Sequence, residues 1–210
     1  MARYTGPVCR HCRREGKKLF LKGDRCYTDK CSFARRETPP GARLYSFSRR
    51  RMSEYGIRLR EKQKLRRFYG MQEKQFRNTF KKANKMKGNT GENFLKLLET
   101  RLDNIVYRMG FAPSRRSARQ LILHRHFHVN GKLVNVPSFV VKPGDIVSVK
   151  PGSNKLDIVH LALRKKGRVE DLSWFEVNKA KLEGKVLNIP ARADIPVDIN
   201  ELYVVEYYSK

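Results

Sequence analysis

The sequence predicts an α+β protein with a metal-bound N-terminal extension. Three observations carry this. All four cysteines lie within residues 1–34. Apolar residues recur at helical spacing between 54 and 125. After 125 the period changes to two, and turn signals separate short β-branched runs.

Cys9, Cys12, Cys26 and Cys31 follow the pattern C-x2-C-x13-C-x4-C. The first pair brackets two residues, as a metal knuckle does, and four thiolates suit tetrahedral Zn²⁺. A basic stretch this short cannot bury a core of its own, so the metal would supply its folding energy. Arg10, Arg13, Arg14 and Lys30 would favour the thiolates. The expected cofactor is one structural Zn²⁺, with an iron–sulfur cluster or free or disulfide-bonded cysteines as alternatives. His11, between two of the cysteines, is read as an RNA contact or a solvated side chain.

Residues 35–53 contain Pro39-Pro40-Gly41 and Arg49-Arg50-Arg51, which break regular structure and predict an extended basic arm. Helices are expected over 54–69, with Ile57, Leu65, Phe68 and Tyr69 as its apolar stripe, and over 73–87, where Phe76, Phe80 and Ala83 share a face. Lys74, Arg77, Lys81 and Lys82 lie elsewhere around the second helix, where a solvated face is the competing reading.

Leu95, Leu98, Leu102, Ile105, Val106 and Met109 predict one amphipathic helix over 92–109, ended by Gly110. Ser114 is a suitable N-cap for a helix over 115–125. Asn130-Gly131, between Phe127–Val129 and Lys132–Val134, predicts a hairpin. Lys142–Asp145 predicts a second turn between Val140-Val141 and Ile146–Val149. Further along, a helix is expected over 156–163, short strands over 174–177 and 186–189, and a final strand over 202–208.

The chain has 210 residues, with 47 Lys+Arg against 20 Asp+Glu and a net charge of +27. Net charge falls from +12 over residues 1–60 and +8 over 61–90 to +6 over 91–150 and +1 over 151–210. Such a field attracts polyanions. Nucleic acid is the expected partner, with an anionic membrane surface as the alternative. The gradient points the first 150 residues at the polyanion and leaves the last 60 to face another protein. The sequence has no apolar run long enough for a spanning helix and no secretory signal at its start, so a reducing cytoplasm is the expected compartment.

Several stretches taken together are specific. They are Tyr4–Arg10, Arg58–Arg66, Leu98–Arg108, Ser114–Leu121 and the hairpin His128-Val129-Asn130-Gly131. In this order and spacing the chain resembles the bacterial small ribosomal subunit protein four family over nearly its whole length. The resemblance implies a protein that binds small-subunit rRNA directly and early, nucleates assembly of the subunit body, and touches small-subunit protein five. It also implies a place near the messenger entry side and a bearing on decoding accuracy. The implied fold has an inserted helix–helix–antiparallel-sheet RNA-binding module and a C-terminal strand returning to the helical domain. The expected division is 1–53 as the zinc-binding extension and arm, 54–91 with about 195–210 as the helical rRNA-binding domain, and 92–194 as the inserted domain. The small module lies at about 99–150.

The rRNA-binding residues expected are Arg3, Arg10, Arg13, Arg14, Arg35, Arg36, Arg49, Arg50, Arg51, Arg58, Arg60, Lys62, Lys64, Arg66, Arg67, Arg115, Arg116, Arg119 and His124. Arg115, Arg116 and Arg119 would add their charge to a helix N-terminus, and Tyr4, Tyr55 and Tyr69 could stack on unpaired bases. An enzyme is not expected. Pseudouridine synthases carry a similar module with a catalytic Gly-Arg-Leu-Asp, but here Thr100 precedes Arg101-Leu102-Asp103 and no Thr-Ser pair follows. Asp103 is instead read as a helix-surface or capping residue, and His124, His126 and His128 as RNA contacts or helix-end partners. A free RNA-binding regulator remains the alternative to a ribosomal protein.

Overall fold

The computed structural model describes residues 4–41, 52–164 and 172–209. Arg3, Arg49, Arg50 and Arg51 lie outside the described residues, as does the middle of the arm expected over 35–53. The chain forms two compact units, Met1–Gly91 with Val197–Lys210 and Glu92–Pro196.

The first unit is helical. Its N-terminal segment holds α1 (Cys9–Glu15), a 3-10 turn (Gly23–Tyr27) and α2 (Ser32–Arg35). Then come α3 (Glu54–Phe68) and α4 (Glu73–Asn84). Ser53 caps α3 by accepting a hydrogen bond from the Gly56 N–H at 3.2 Å. Leu65, Phe76, Phe80 and Ala83 are buried, and the last helix of the chain packs along α3.

That last element corrects the expected C-terminal strand: residues Glu201–Tyr208 are helical. The β-branched and aromatic residues of this stretch suggested a strand, but Val204, Tyr207 and Tyr208 fall at i, i+3 and i+4. The Asn200 side chain caps the helix by accepting from the Leu202 N–H at 3.0 Å, and the Asn200 N–H donates to Glu61 on α3.

The second unit takes in α5 (Thr90–Glu99) from Glu92 onward, then α6 (Leu102–Arg108) and α7 (Arg115–Leu123). The single helix expected over 92–109 is broken at Thr100-Arg101. The Thr100 hydroxyl turns back onto the Lys96 carbonyl at 3.0 Å, and Arg101 is extended. The freed backbone pairs sideways: Val141 N–H donates to Thr100 at 2.9 Å and Leu102 N–H donates to Phe139 at 2.9 Å. No glycine or proline marks this break, so periodicity ran straight across it.

Five antiparallel strands follow: β1 (Phe127–Val129), β2 (Lys132–Leu133), β3 (Ile146–Val149), β4 (Phe175–Asn178) and β5 (Glu183–Val186), in the order β2-β1-β3-β5-β4. The hairpin turn has φ of 50° at Asn130 and 74° at Gly131, as a two-residue turn of this hand requires. The helix α8 (Asp157–Arg164) lies between β3 and β4. Two strand expectations change. Val140 bridges Arg101 and does not pair with β3, and the strand expected over 186–189 lies earlier, at β5. Gly184 in β5 is required by packing, because a Cβ there would stand 2.5 Å from the Met109 sulfur. The core of this unit joins Leu102, Ile105 and Met109 of the α6 segment, Ala118 and Ile122 of α7, and Phe127, Val147, Trp174 and Val186 around the sheet.

Candidate nucleic-acid interface

In the N-terminal segment the four cysteines are free thiols, Cys12, Cys26 and Cys31 buried and Cys9 partly so. Burial pushes the Cys12 thiol up, and the other three sulfurs add to it against a backbone hydrogen bond from Leu19. Burial likewise pushes up Cys26, whose sulfur accepts the Lys22 N–H at 3.4 Å. The four sulfurs are thus near enough to act on one another, and four thiols are the donor types a tetrathiolate metal takes. Among the described residues, however, no group of three or more His, Cys, Asp or Glu side chains is arranged to hold a metal ion.

The charges of this segment divide in two. Arg10, Arg14, Arg35 and Arg36 are exposed. Arg13 is half-buried and donates to the Thr38 carbonyl at 2.8 Å. The Glu15 carboxylate, only 2% exposed, accepts from Arg67 and lies 3.5 Å from Arg60, tying α1 to α3.

On α3 the basic residues were all expected at the RNA. The structure engages them internally. Lys62, 3% exposed, donates to Glu73 at 2.9 Å, and Lys64 is buried 3.4 Å from Glu61. Arg58 is held by Glu54 and Glu206, and Arg66 donates to Gln63 at 2.9 Å beside Glu73. Both ammonium groups are therefore paired with carboxylates inside the helical unit, where the sequence reading had expected them at the RNA. Tyr69 is buried, so it packs and does not stack on bases, whereas Tyr4 and Tyr55 are exposed.

The exposed charge sits on the next helix. Lys74, Arg77, Lys81 and Lys82 of α4, and Lys85 just beyond it, are exposed, while Phe76, Phe80 and Ala83 face the core. Lys74, Arg77, Lys81 and Lys85 follow a helical row. The site residues expected from sequence omitted this row. Its spacing, complementary to the buried phenylalanines, was the signal that could have found it.

In the second unit two buried networks lie under α7. Asp103, 5% exposed, takes a two-pronged hydrogen bond from Arg101 at 3.0 and 2.7 Å and one from Arg119 at 3.4 Å. Arg119, expected at the RNA, is therefore an interior cation, and Asp103 is an interior anion and not a surface or capping residue. Buried Glu99 accepts from Arg108 at 3.1 and 3.0 Å and from Asn104 at 2.6 Å. Asn104 in turn accepts from Arg115 at 2.7 Å, and the Arg115 guanidinium lies 4.5 Å from the Tyr107 ring centroid. Ser114 caps α7 through the Ser117 N–H at 3.2 Å. Arg115 and Arg116 are half-exposed beside that cap, and His124 is exposed at the other end of α7. The three histidines do not converge as a group that could hold a metal.

Two family profiles match consecutive stretches of the chain: "Ribosomal protein S4/S9 N-terminal domain" over residues 3–99 and "S4 domain" over residues 100–147. Proteins described as "Small ribosomal subunit protein uS4" match over the entire chain and over their own entire length. That of Thermodesulfovibrio yellowstonii is 52% identical over 210 residues. Those of Thermoanaerobacter sp. and Syntrophobacter fumaroxidans are 53% and 54% identical. The chain belongs to the uS4 family. The uS4 family is one of ribosomal proteins and not of enzymes, which accords with Asp103 being locked between two arginines. The S4 domain match covers α6, α7, the hairpin and the first half of β3. No described helix is long and apolar enough to cross a membrane.

Proposed function

We propose that this protein is a structural constituent of the small ribosomal subunit and binds its rRNA directly, in the cytoplasm. The observation that carries this is the match at 52–54% identity, over the whole of both chains, to proteins of that description. The distribution of charge supports it. Exposed Arg10, Arg14, Arg35 and Arg36 and the α4 row can reach phosphates, arginines as forks and lysines as point charges. The interior pairs fix the helices that carry them. Such a surface reads the shape of folded RNA more than its base edges.

Neutralising phosphates where RNA helices converge lets those helices approach, and later proteins then bind a fixed junction. On this reading the protein nucleates assembly of the subunit body. It also contacts small-subunit protein five, lies near the messenger entry side, and contributes to decoding accuracy with its neighbours. Cys9, Cys12, Cys26 and Cys31 would hold one Zn²⁺ as a structural tetrathiolate; the spacing and the mutual influence of four free thiols support it. Zinc bound there replaces a missing apolar core and does no chemistry.

Sedimentation of tagged protein from a cell lysate tests the reading. Co-migration with small-subunit particles is expected. Protein that stays at the top of the gradient overturns the ribosomal role and favours a free RNA-binding regulator.

A further inference from the structure

The C-terminal end of α1 carries a carboxylate where helix chemistry disfavours one. Glu15 is the last residue of α1, and Gly16 beyond it closes the helix with φ of 65°. An anion there faces the negative end of the helix dipole, which Arg13 and Arg14 in the same turn suit better. Burial adds a second cost, since the Glu15 side chain is 2% exposed. That burial pushes its carboxyl up, against the pull of Arg60, Arg67 and Arg14.

The partners of Glu15 lie outside its own segment. Arg60 and Arg67 occupy one face of α3, about two turns apart. Arg60 reaches the carboxylate at 3.5 Å, and Arg67 donates a hydrogen bond to the same oxygen. A buried ion pair is weak as glue; its best-attested use is to fix one geometry among several. The segment has few apolar side chains to dock with. Over residues 4–41 those buried are Val8, Leu19, Cys12, Cys26 and Cys31. A second tie, from Lys17 to Asp198 at 2.5 Å, is exposed on both sides and open to screening by salt. The same segment carries exposed Arg10, Arg35 and Arg36, none of which bonds to Glu15.

We propose that Glu15 is a positioning residue for rRNA binding: it docks α1 on Arg60 and Arg67 of α3 and so holds the exposed arginines of the N-terminal segment in a fixed pose relative to the helical unit. The inference rests on the rRNA-binding reading and assigns Glu15 no contact with RNA. A folded RNA is itself rigid, so arginines already fixed in place meet it without an ordering cost at the moment of binding.

Glu15→Gln in the full chain sets two expectations against each other. By charge alone it tightens binding, because an anion is removed and Arg60 and Arg67 are released. By positioning it weakens binding. Affinity for small-subunit rRNA should fall about tenfold, with a less favourable binding entropy by calorimetry. The slope of log affinity against log salt should be no shallower than in the wild type, since no cation is lost. In a chain already carrying Arg10→Gln, Arg35→Gln and Arg36→Gln, the same change should cost less than about twofold, because the arginines it positions are absent. Affinity unchanged or raised by Glu15→Gln overturns the proposal. A fall of the same size in both backgrounds overturns it too, because it is the mark of a helical unit that has merely loosened. Wild-type protein that binds small-subunit rRNA no better than an unrelated RNA of equal length is a separate failure, that of the rRNA-binding reading.

Discussion

The Lys62 ammonium stands 4.7 Å from the centroid of the Tyr207 ring, joining α3 to the last helix of the chain, here α9 (Glu201–Tyr208). The same nitrogen donates to Glu73, and the Tyr208 hydroxyl donates to that carboxylate at 2.7 Å. One buried cation therefore ties α3, α4 and α9 together. Lys62→Ala should lower stability by about 2 kcal/mol, less than a fully buried pair would lose because Glu73 is partly solvated. Urea denaturation of the full chain measures this. The double variant Lys62→Ala with Glu73→Gln should lose less than the two single losses combined.

Glu73 also sets an acid sensitivity. Burial alone would push its carboxyl up, but the hydrogen bonds from Lys62 and Tyr208 and the charges of Lys62 and Arg66 outweigh it and hold it below its ordinary value. Its contribution is therefore full above the usual carboxylate range and is lost as pH falls through its lowered value. Burial and Glu73 push the Tyr208 phenol up, so that hydroxyl remains a donor through neutral and mildly alkaline pH. A stability profile from pH 7 downward should decline less steeply for Glu73→Gln than for the wild type.

The pair Asp103–Arg119 predicts a larger loss. Asp103→Ala removes the carboxylate that buried Arg101 and Arg119 share. A loss of about 3–5 kcal/mol is expected, confined to the Glu92–Pro196 unit. Hydrogen exchange by residue should show faster opening of α6, α7 and the sheet while α3, α4 and α9 keep their protection.

For the thiols, elemental analysis of purified protein should find one zinc per chain. Cys9→Ser with Cys12→Ser should abolish it and expose the backbone of α1 and α2 to exchange, leaving the Glu92–Pro196 unit protected. Loss of every protected amide in that variant would show that the N-terminal segment supports the whole chain.

The α4 row is distinguished from the α3 cations by salt. Replacing Lys74, Arg77 and Lys81 with Gln should leave the denaturation midpoint unchanged, since all three are exposed. The slope of rRNA affinity against log salt should become shallower by roughly 2–3.

Much of this was legible in the sequence, and for stated reasons. The Asn130-Gly131 turn, the Ser114 and Gly110 helix boundaries, and the phenylalanine face of α4 all follow from local chemistry that tertiary packing leaves alone. What was illegible depended on partners remote in sequence. The break at Thr100-Arg101 exists because residues 139–141 offer hydrogen bonds there. The final helix exists because Val204, Tyr207 and Tyr208 meet a surface made by residues more than a hundred positions earlier. Charge was the least legible feature of the interface. A run of arginines and lysines reads as one basic face, yet Glu15, Glu61 and Glu73 draw α3's cations inward. Only exposure separates cations that hold the fold from cations that meet RNA.

The return of residues 197–209 to the unit begun by residues 4–91 has a consequence for biosynthesis. Translation delivers α3 and α4 before the Glu92–Pro196 unit, and the helix that closes over Lys62 and Glu73 only after it. The Glu92–Pro196 unit is unbroken in sequence and has all its partners before that helix exists. Folding order is thus inverted with respect to chain order: the first unit begun is the last completed. A product terminated before residue 201 carries every exposed cation of α4 but lacks the helix that packs along α3 and reaches Glu73 through Tyr208.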